Sequence, residues 1–279
     1  SFLMLKKFCT LIKHKNFFIK VIDDLMQLDA LIHIFEKKYG NFGGNVTYVL
    51  HGVFLKAAAK DNQKELWQLI NDDVNKGKKP KIPMPIGNII GGGLHSEEPW
   101  GEKPDIQEFH VIPHEKSMAK AMTKNVHAFH YAQKLLKSRK TNDEHAVRTH
   151  KSNEEVLDVV TKIAHKYNVR IGLDVAGSSF YERGYYTYHN KSLKRDRVDQ
   201  VDYMSRLIKK YKLFYVEDPM QEEDFIGYRE ILNKTTANKT LVTGDDLTTT
   251  NTKRLLRAIR AKSINAVSYT HLTLPTIAI

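Results

Sequence analysis

Val169-Arg-Ile-Gly-Leu-Asp174, Leu213-Phe-Tyr-Val-Glu217 and Thr240-Leu-Val-Thr-Gly-Asp245 repeat one pattern three times. Each is a short run of strand-forming residues that ends on a carboxylate, and a helix-like stretch follows each. Strands that alternate with helices pair in parallel through right-handed crossovers. When such a sheet curls into a barrel, the C-terminal ends of its strands meet on one face. Asp174, Glu217 and Asp245 then converge, and converging oxygen ligands are what Mg²⁺ requires. With Mg–O bonds near 2.1 Å, their side-chain oxygens are expected within about 6 Å of one another.

The alternation extends outward from these three runs. Strands are expected at 169–175, 213–217, 240–244 and 264–268, and helices at 198–210, 224–233 and 252–260. The Tyr- and Gly-rich segment Ser178–Lys194 breaks the rhythm and is expected to insert a small hairpin. Further upstream, Val156, Val159, Val160 and Ile163 mark a helix, and Met118, Met122, Val126, Phe129 and Leu136 a longer one. Asp105–Ile112 reads as a strand closed by Pro113, and residues 82–93 as an extended segment entering a glycine loop. Residues 17–38 carry a helical period. Asn41-Phe-Gly-Gly-Asn45 is a turn whose Asn45 is placed to cap a helix beginning at Val46. The polar stretch Asn71–Pro80 reads as a domain boundary, giving segments 1–78, 79–268 and 269–279.

Composition narrows the class. The 279 residues are 41% hydrophobic and 27% charged, ordinary values for a globular protein. No apolar run approaches the roughly 20 residues of a membrane span, so no membrane partner is expected. The opening apolar run is too soon interrupted by lysine for a secretory segment. One cysteine, Cys9, excludes an internal disulfide and fits a reducing compartment, with the cytoplasm as the default. The net charge of +12 leaves two readings open, a basic surface serving a small anionic substrate or a nucleic-acid patch. The clusters Lys76–Lys81 and Lys194–Arg197 lack interleaved aromatic rings, which favours solvated surface and makes nucleic acid an unlikely partner.

Six motifs in order carry a resemblance: Met84-Pro, Gly92-Gly-Leu-His95, Asp105-Ile-Gln-Glu-Phe109, Leu173-Asp-Val-Ala176, Val216-Glu-Asp-Pro219 and Gly244-Asp-Asp-Leu247. Together they resemble the enolase family, the phosphopyruvate hydratases, over about residues 30–268. The resemblance implies an α/β fold. It would be an enolase-type TIM barrel, incomplete and lacking its last strands, preceded by a remnant of an α+β N-terminal capping domain. It also implies a cytoplasmic, glycolytic lyase, usually a homodimer, that interconverts 2-phosphoglycerate and phosphoenolpyruvate with Mg²⁺. Asp174, Glu217 and Asp245 match the family's metal ligands, and Glu217 and Asp245 also face substrate. Gln107 and Glu108 match a pair that contacts substrate and supports the acid. His95 matches a loop histidine that closes over substrate. Asp218 and Asp246, beside two of the ligands, are read as groups that orient neighbours.

Glu144 matches the family's general acid, but the family pattern Gly-Asp-Glu-Gly-Gly reads here Asn142-Asp-Glu-His-Ala146. With the three glycines gone, Glu144 stands open between the acid and a plain loop glutamate. Gly91 replaces an asparagine usual in the family. Thr270 falls where the family has its base, a lysine, and no lysine follows Lys262. The tail 269–279 does not resemble the family, so the chain reads as a fragment that is expected to be inactive. Two alternatives stay beside the enolase reading. One is a non-catalytic enolase-like binding protein. The other is an acid-sugar dehydratase of the same superfamily, whose early Lys-x-Lys is here Gln107-Glu108.

Overall fold

The computed structural model describes residues 2–13, 15 and 18–268, and it divides into two compact units after Lys81. Thr270 and the tail lie outside the described residues.

In the first unit, the described residues form helices α1 (Phe2–Ile12), α2 (Leu25–Tyr39), α3 (Gly44–Asp61) and α4 (Leu66–Asn75) and no strand. A ring cluster holds them: Phe8 meets Phe35 and Phe42 edge-on, with centroids 5.3 and 5.2 Å away. Leu28, Ile32 and Leu50 complete this core. The helix expected from residue 17 begins only at Leu25. The Asp24 carboxylate accepts the Lys20 and Val21 amides and turns the chain there. Asn45 does not cap α3, which starts one residue earlier behind Gly43, a glycine at φ 85°. Asn71–Asn75, expected as linker, instead closes α4.

The second unit runs β1 (Gly87–Gly91), β2 (Glu108–Pro113), α5 (Met118–Leu136), β3 (Val147–Arg148), α6 (Asn153–Tyr167) and β4 (Val169–Asp174). A small antiparallel sheet follows, β5 (Tyr181–Glu182), β6 (Tyr185–Tyr188) and β7 (Leu193–Arg195), one strand more than the expected hairpin. Then come α7 (Arg197–Tyr211), β8 (Tyr215–Glu217), α8 (Phe225–Thr235), β9 (Leu241–Gly244), α9 (Thr252–Arg260) and β10 (Ala266–Val267). Local chemistry sets the helix starts: Asp196 accepts the Asp199 amide, and Ser152 and Glu155 form a capping box on α6.

The main sheet has the order β10-β9-β8-β4-β2-β1-β3 and is open among the described residues. Its fold is α/β with a mostly parallel sheet, and β2 alone runs against the rest. The parallel pairing expected of the alternating strands holds for β4, β8, β9 and β10. β2 also begins at Glu108 rather than Asp105, because the amide of Ile106 is taken by Asn153 Oδ1 at 3.1 Å and cannot join a ladder. Phe109, Leu173, Val216 and Val242 are register partners in one row and belong to the buried core. Successive side chains alternate faces, so the residues one step along each strand form a row on the opposite face. No helix among the described residues is long and apolar enough to cross a membrane.

Candidate active site

That opposite row is Gly91, Glu108, Asp174, Glu217, Thr243 and Ala266, each opposite the next on the neighbouring strand. Glu108 lies at the start of its strand, and it reaches the end of the sheet occupied by Asp174 and Glu217 because β2 is reversed. Asp245 lies two residues beyond Thr243, on the loop that leaves β9. Adjacent strands are about 4.8 Å apart, so four carboxylates line one end of the sheet.

Burial raises the pKa of Asp174 well above the carboxylate range, and the charges of Glu217, Glu108 and Asp218 push the same way. Burial also raises Glu217, against hydrogen bonds from Tyr215 and Ser268. The groups acting most strongly on this pair include no lysine or arginine. Gln107 Nε2 donates to Asp174 Oδ2 at 3.0 Å, and the Ala176 amide holds Oδ1 at 3.0 Å. Oxygen donors aligned without a protein cation fit a divalent metal.

The next row on the same face is His110, Gly172 and Tyr215. A Cβ on Gly172 would sit 3.2 Å from Tyr215 Cβ and 3.3 Å from His110 Cβ, so glycine makes room for the two rings. His110 Nε2 lies 2.7 Å from Glu108 Oε2, and Tyr215 donates to Glu217 Oε2 at 2.7 Å. These two residues were missed from sequence. Their signal was the period of two: each sits two residues along its strand from a carboxylate.

Glu144 stands across from Glu108 on the loop between α5 and β3. Burial alone would raise Glu108, but the His110 hydrogen bond and charge outweigh it and hold Glu108 below its usual value. Glu144 is raised to about 8, by burial first and then by its hydrogen bond to Glu108 and the charges of Glu108 and Asp143. Their surroundings thus push the two carboxyls in opposite directions, Glu108 toward the anion and Glu144 toward the protonated form. Asn88 Nδ2 donates to Glu144 Oε2 at 3.0 Å. His95 Nδ1 lies 3.2 Å from Asp143 Oδ1 and 3.4 Å from Glu144 Oε1. Arg148, at the end of β3, pairs with Glu97 and Glu98 and ties the His95 loop to the sheet.

The lost glycines around Glu144 have a structural answer. Asn142 Oδ1 accepts the amides of Glu144 (3.1 Å) and Ala146 (2.8 Å), fixing the loop. Its amide nitrogen occupies the space beside Gly91, where a Cβ would approach it to 2.2 Å. An asparagine at 142 beside a glycine at 91 thus inverts the arrangement that the resemblance implies. His145 keeps the left-handed backbone, φ 64°, at a position where the pattern has glycine.

Asp218 is a hub. Its carboxylate accepts from the amides of Asp245 (3.0 Å) and Asp246 (2.8 Å) and from the Tyr228 hydroxyl. Burial raises it to about 7 against those hydrogen bonds. One group of three among the described residues, His95, Glu108 and Glu144, brings its ligand atoms within 4.8 Å of one another. Asp174, Glu217 and Asp245 are not brought together that closely.

Residues 79–273 match the family described as "Enolase, C-terminal TIM barrel domain". The chain is 30% identical over 254 residues to a protein named "Enolase" from Picrophilus torridus, covering 86% of this chain and 60% of that protein. It is 34% identical over 236 residues to one from Methanocorpusculum labreanum, covering 81% of this chain and 57% of that protein. To one from Methanosphaera stadtmanae it is 32% identical over 263 residues, covering 88% and 61%. The chain thus spans about 60% of the length of these curated relatives.

Proposed function

The chain belongs to the enolase family, and we propose that it carries the metal and acid half of a site for reversible dehydration of 2-phosphoglycerate to phosphoenolpyruvate. The observation that supports this most is the row Glu108–Asp174–Glu217 at one end of the sheet, with Glu144 across from Glu108 and its pKa raised by burial and by Glu108.

Asp174, Glu217 and Asp245 would hold Mg²⁺. When bound, Mg²⁺ supplies Lewis-acid charge that stabilises the substrate carboxylate as electron density accumulates there. The remaining chemistry belongs to side chains. Tyr215 fixes the rotamer of Glu217, and Gln107 that of Asp174. Asp218 holds the loop bearing Asp245 by its amides. Glu144, protonated near neutral pH, donates to the departing hydroxyl, and Glu108, kept ionised by His110, positions it. His95, on the glycine loop, closes over the substrate. The position that the resemblance gives to the base, Thr270, lies outside the described residues. The setting carried over from the family is cytoplasmic, glycolytic and homodimeric.

The test of the metal assignment is Asp245→Asn. Mg²⁺ affinity measured by calorimetry should fall about tenfold or more, while the circular dichroism spectrum stays unchanged. Equal Mg²⁺ affinity in the two proteins would remove Asp245 from the metal site.

A further inference from the structure

We propose that the cleft between the end of α5 and the end of β3 binds an oligophosphate, a chain of two or three linked phosphate groups. The cleft holds about 360 Å³ and is lined by Lys137, Arg139, Lys140, Arg148 and His150, with Glu98 the one carboxylate in its lining. Ion pairs nearby use Lys124, Arg148 and Lys151. Among the described residues Lys137, Arg139 and Lys140 have no carboxylate partner, so three positive charges line one cleft uncompensated. A cation in the last turn of a helix answers the partial negative charge there, which accounts for Lys134. It does not account for Arg139 and Lys140, which lie beyond Leu136, where α5 ends.

The backbone presents these side chains from a fixed turn. Lys137 takes the left-handed conformation, φ 51°, and the Ser138 amide donates to the Gln133 carbonyl at 3.2 Å. At the other end the Arg148 amide donates to the Lys140 carbonyl at 3.0 Å. A turn already ordered lowers the cost of binding. Glu98 does not oppose an anion, because Arg148 Nε and Nη2 lie 2.7 and 2.6 Å from its Oε1. The third nitrogen of Arg148, Nη1, pairs with Glu97, whose side chain is 81% exposed. Exposed pairs are weak, so a multivalent anion can replace Glu97 while Glu98 stays bound.

The chemistry of the lining selects the ligand class. Arginine and lysine recognise phosphate oxygens through charge-assisted hydrogen bonds. A single phosphate engages only part of this set, whereas a linked chain meets several cations at once. No Tyr, Phe or Trp is among the lining residues, so a nucleobase finds no stacking platform. The site shares no residue with the carboxylate row, and binding stands independently of the dehydratase reading.

The experiment titrates inorganic tripolyphosphate into the full chain by calorimetry, with EDTA present. Without a metal, the carboxylate row repels an anion, so heat reports the basic cleft. Tripolyphosphate should bind, and inorganic phosphate should bind at least about tenfold more weakly, the loss of one or more charge-assisted contacts. The triple variant Lys137→Gln, Arg139→Gln, Lys140→Gln should weaken tripolyphosphate binding at least about tenfold. A charge-matched control, Lys76→Gln, Lys78→Gln, Lys79→Gln, should bind as the wild type does. ATP should bind no more tightly than tripolyphosphate. No tripolyphosphate binding by the wild-type chain overturns the proposal. Equal losses in the two triple variants also overturn it, since net charge alone would then attract the anion. Tighter binding of ATP, or equal binding of inorganic phosphate, would overturn the assignment to an oligophosphate.

Discussion

Glu108 and Glu144 are chemically equivalent carboxyl groups that their surroundings separate. His110 lowers one, and burial beside the resulting anion raises the other to about 8. Because the pKa of Glu144 rises from 4.5 on folding, between those two values the folded chain keeps a proton that the unfolded chain has released. Stability from this group is therefore complete below about pH 4.5 and lost as pH climbs toward 8. Glu144→Gln removes that slope. Urea midpoints of the two proteins should coincide near pH 4, with the wild type falling behind by pH 8, whereas parallel curves would deny the shift. Gly91 and Asn142 make a second residue-level claim. Gly91→Ala should cost about 1–3 kcal/mol through overpacking, and Asn142→Gly in the same chain should recover part of it. A double-mutant cycle with no coupling would show that the two do not compete for one space. Of these residues, Glu108 and Glu144 were legible in the sequence by resemblance. The exchange of asparagine and glycine was not, because it depends on the end of β1 meeting a loop 51 residues further along the chain.

At the scale of elements, the sequence rhythm located β4, β8, β9 and the helices between them to within a few residues. It assigned no direction to β2. A parallel β2 would put Glu108 at the far end of the sheet from Asp174, and only its reversal completes the row. Strand direction is set by the connections and by register, neither of which leaves a local pattern. Strand starts were misread for a related reason, since Asp105 and Ile106 spend their polar groups on His189 and Asn153. Asp218 shows how one side chain sets a whole loop. Asp218→Ala should cost on the order of 3 kcal/mol by stranding buried donors, and it should weaken Mg²⁺ binding although Asp218 is not a ligand. Tyr228→Phe, which removes one of those donors, should cost only about 1 kcal/mol. Denaturant unfolding of both variants checks the ranking, and equal losses would contradict the hub.

At the scale of the molecule, residues 74–84 are exposed, and those from Lys78 to Ile86 belong to no regular element. Brief trypsin treatment should cut first among Lys76, Lys78 and Lys81, releasing pieces of roughly 80 and 200 residues. A first cut within the α/β unit would contradict the division after Lys81. With no lysine after Lys262, this 279-residue chain is expected to form no phosphoenolpyruvate from 2-phosphoglycerate. Product made by the pure chain would identify a different base. Binding, unlike turnover, needs only the half of the site described above, so it tests the central claim most directly. In calorimetry, 2-phosphoglycerate should bind the 279-residue chain with Mg²⁺ present, and the heat should vanish when EDTA removes the metal. Absent binding, or binding indifferent to Mg²⁺, would contradict the account.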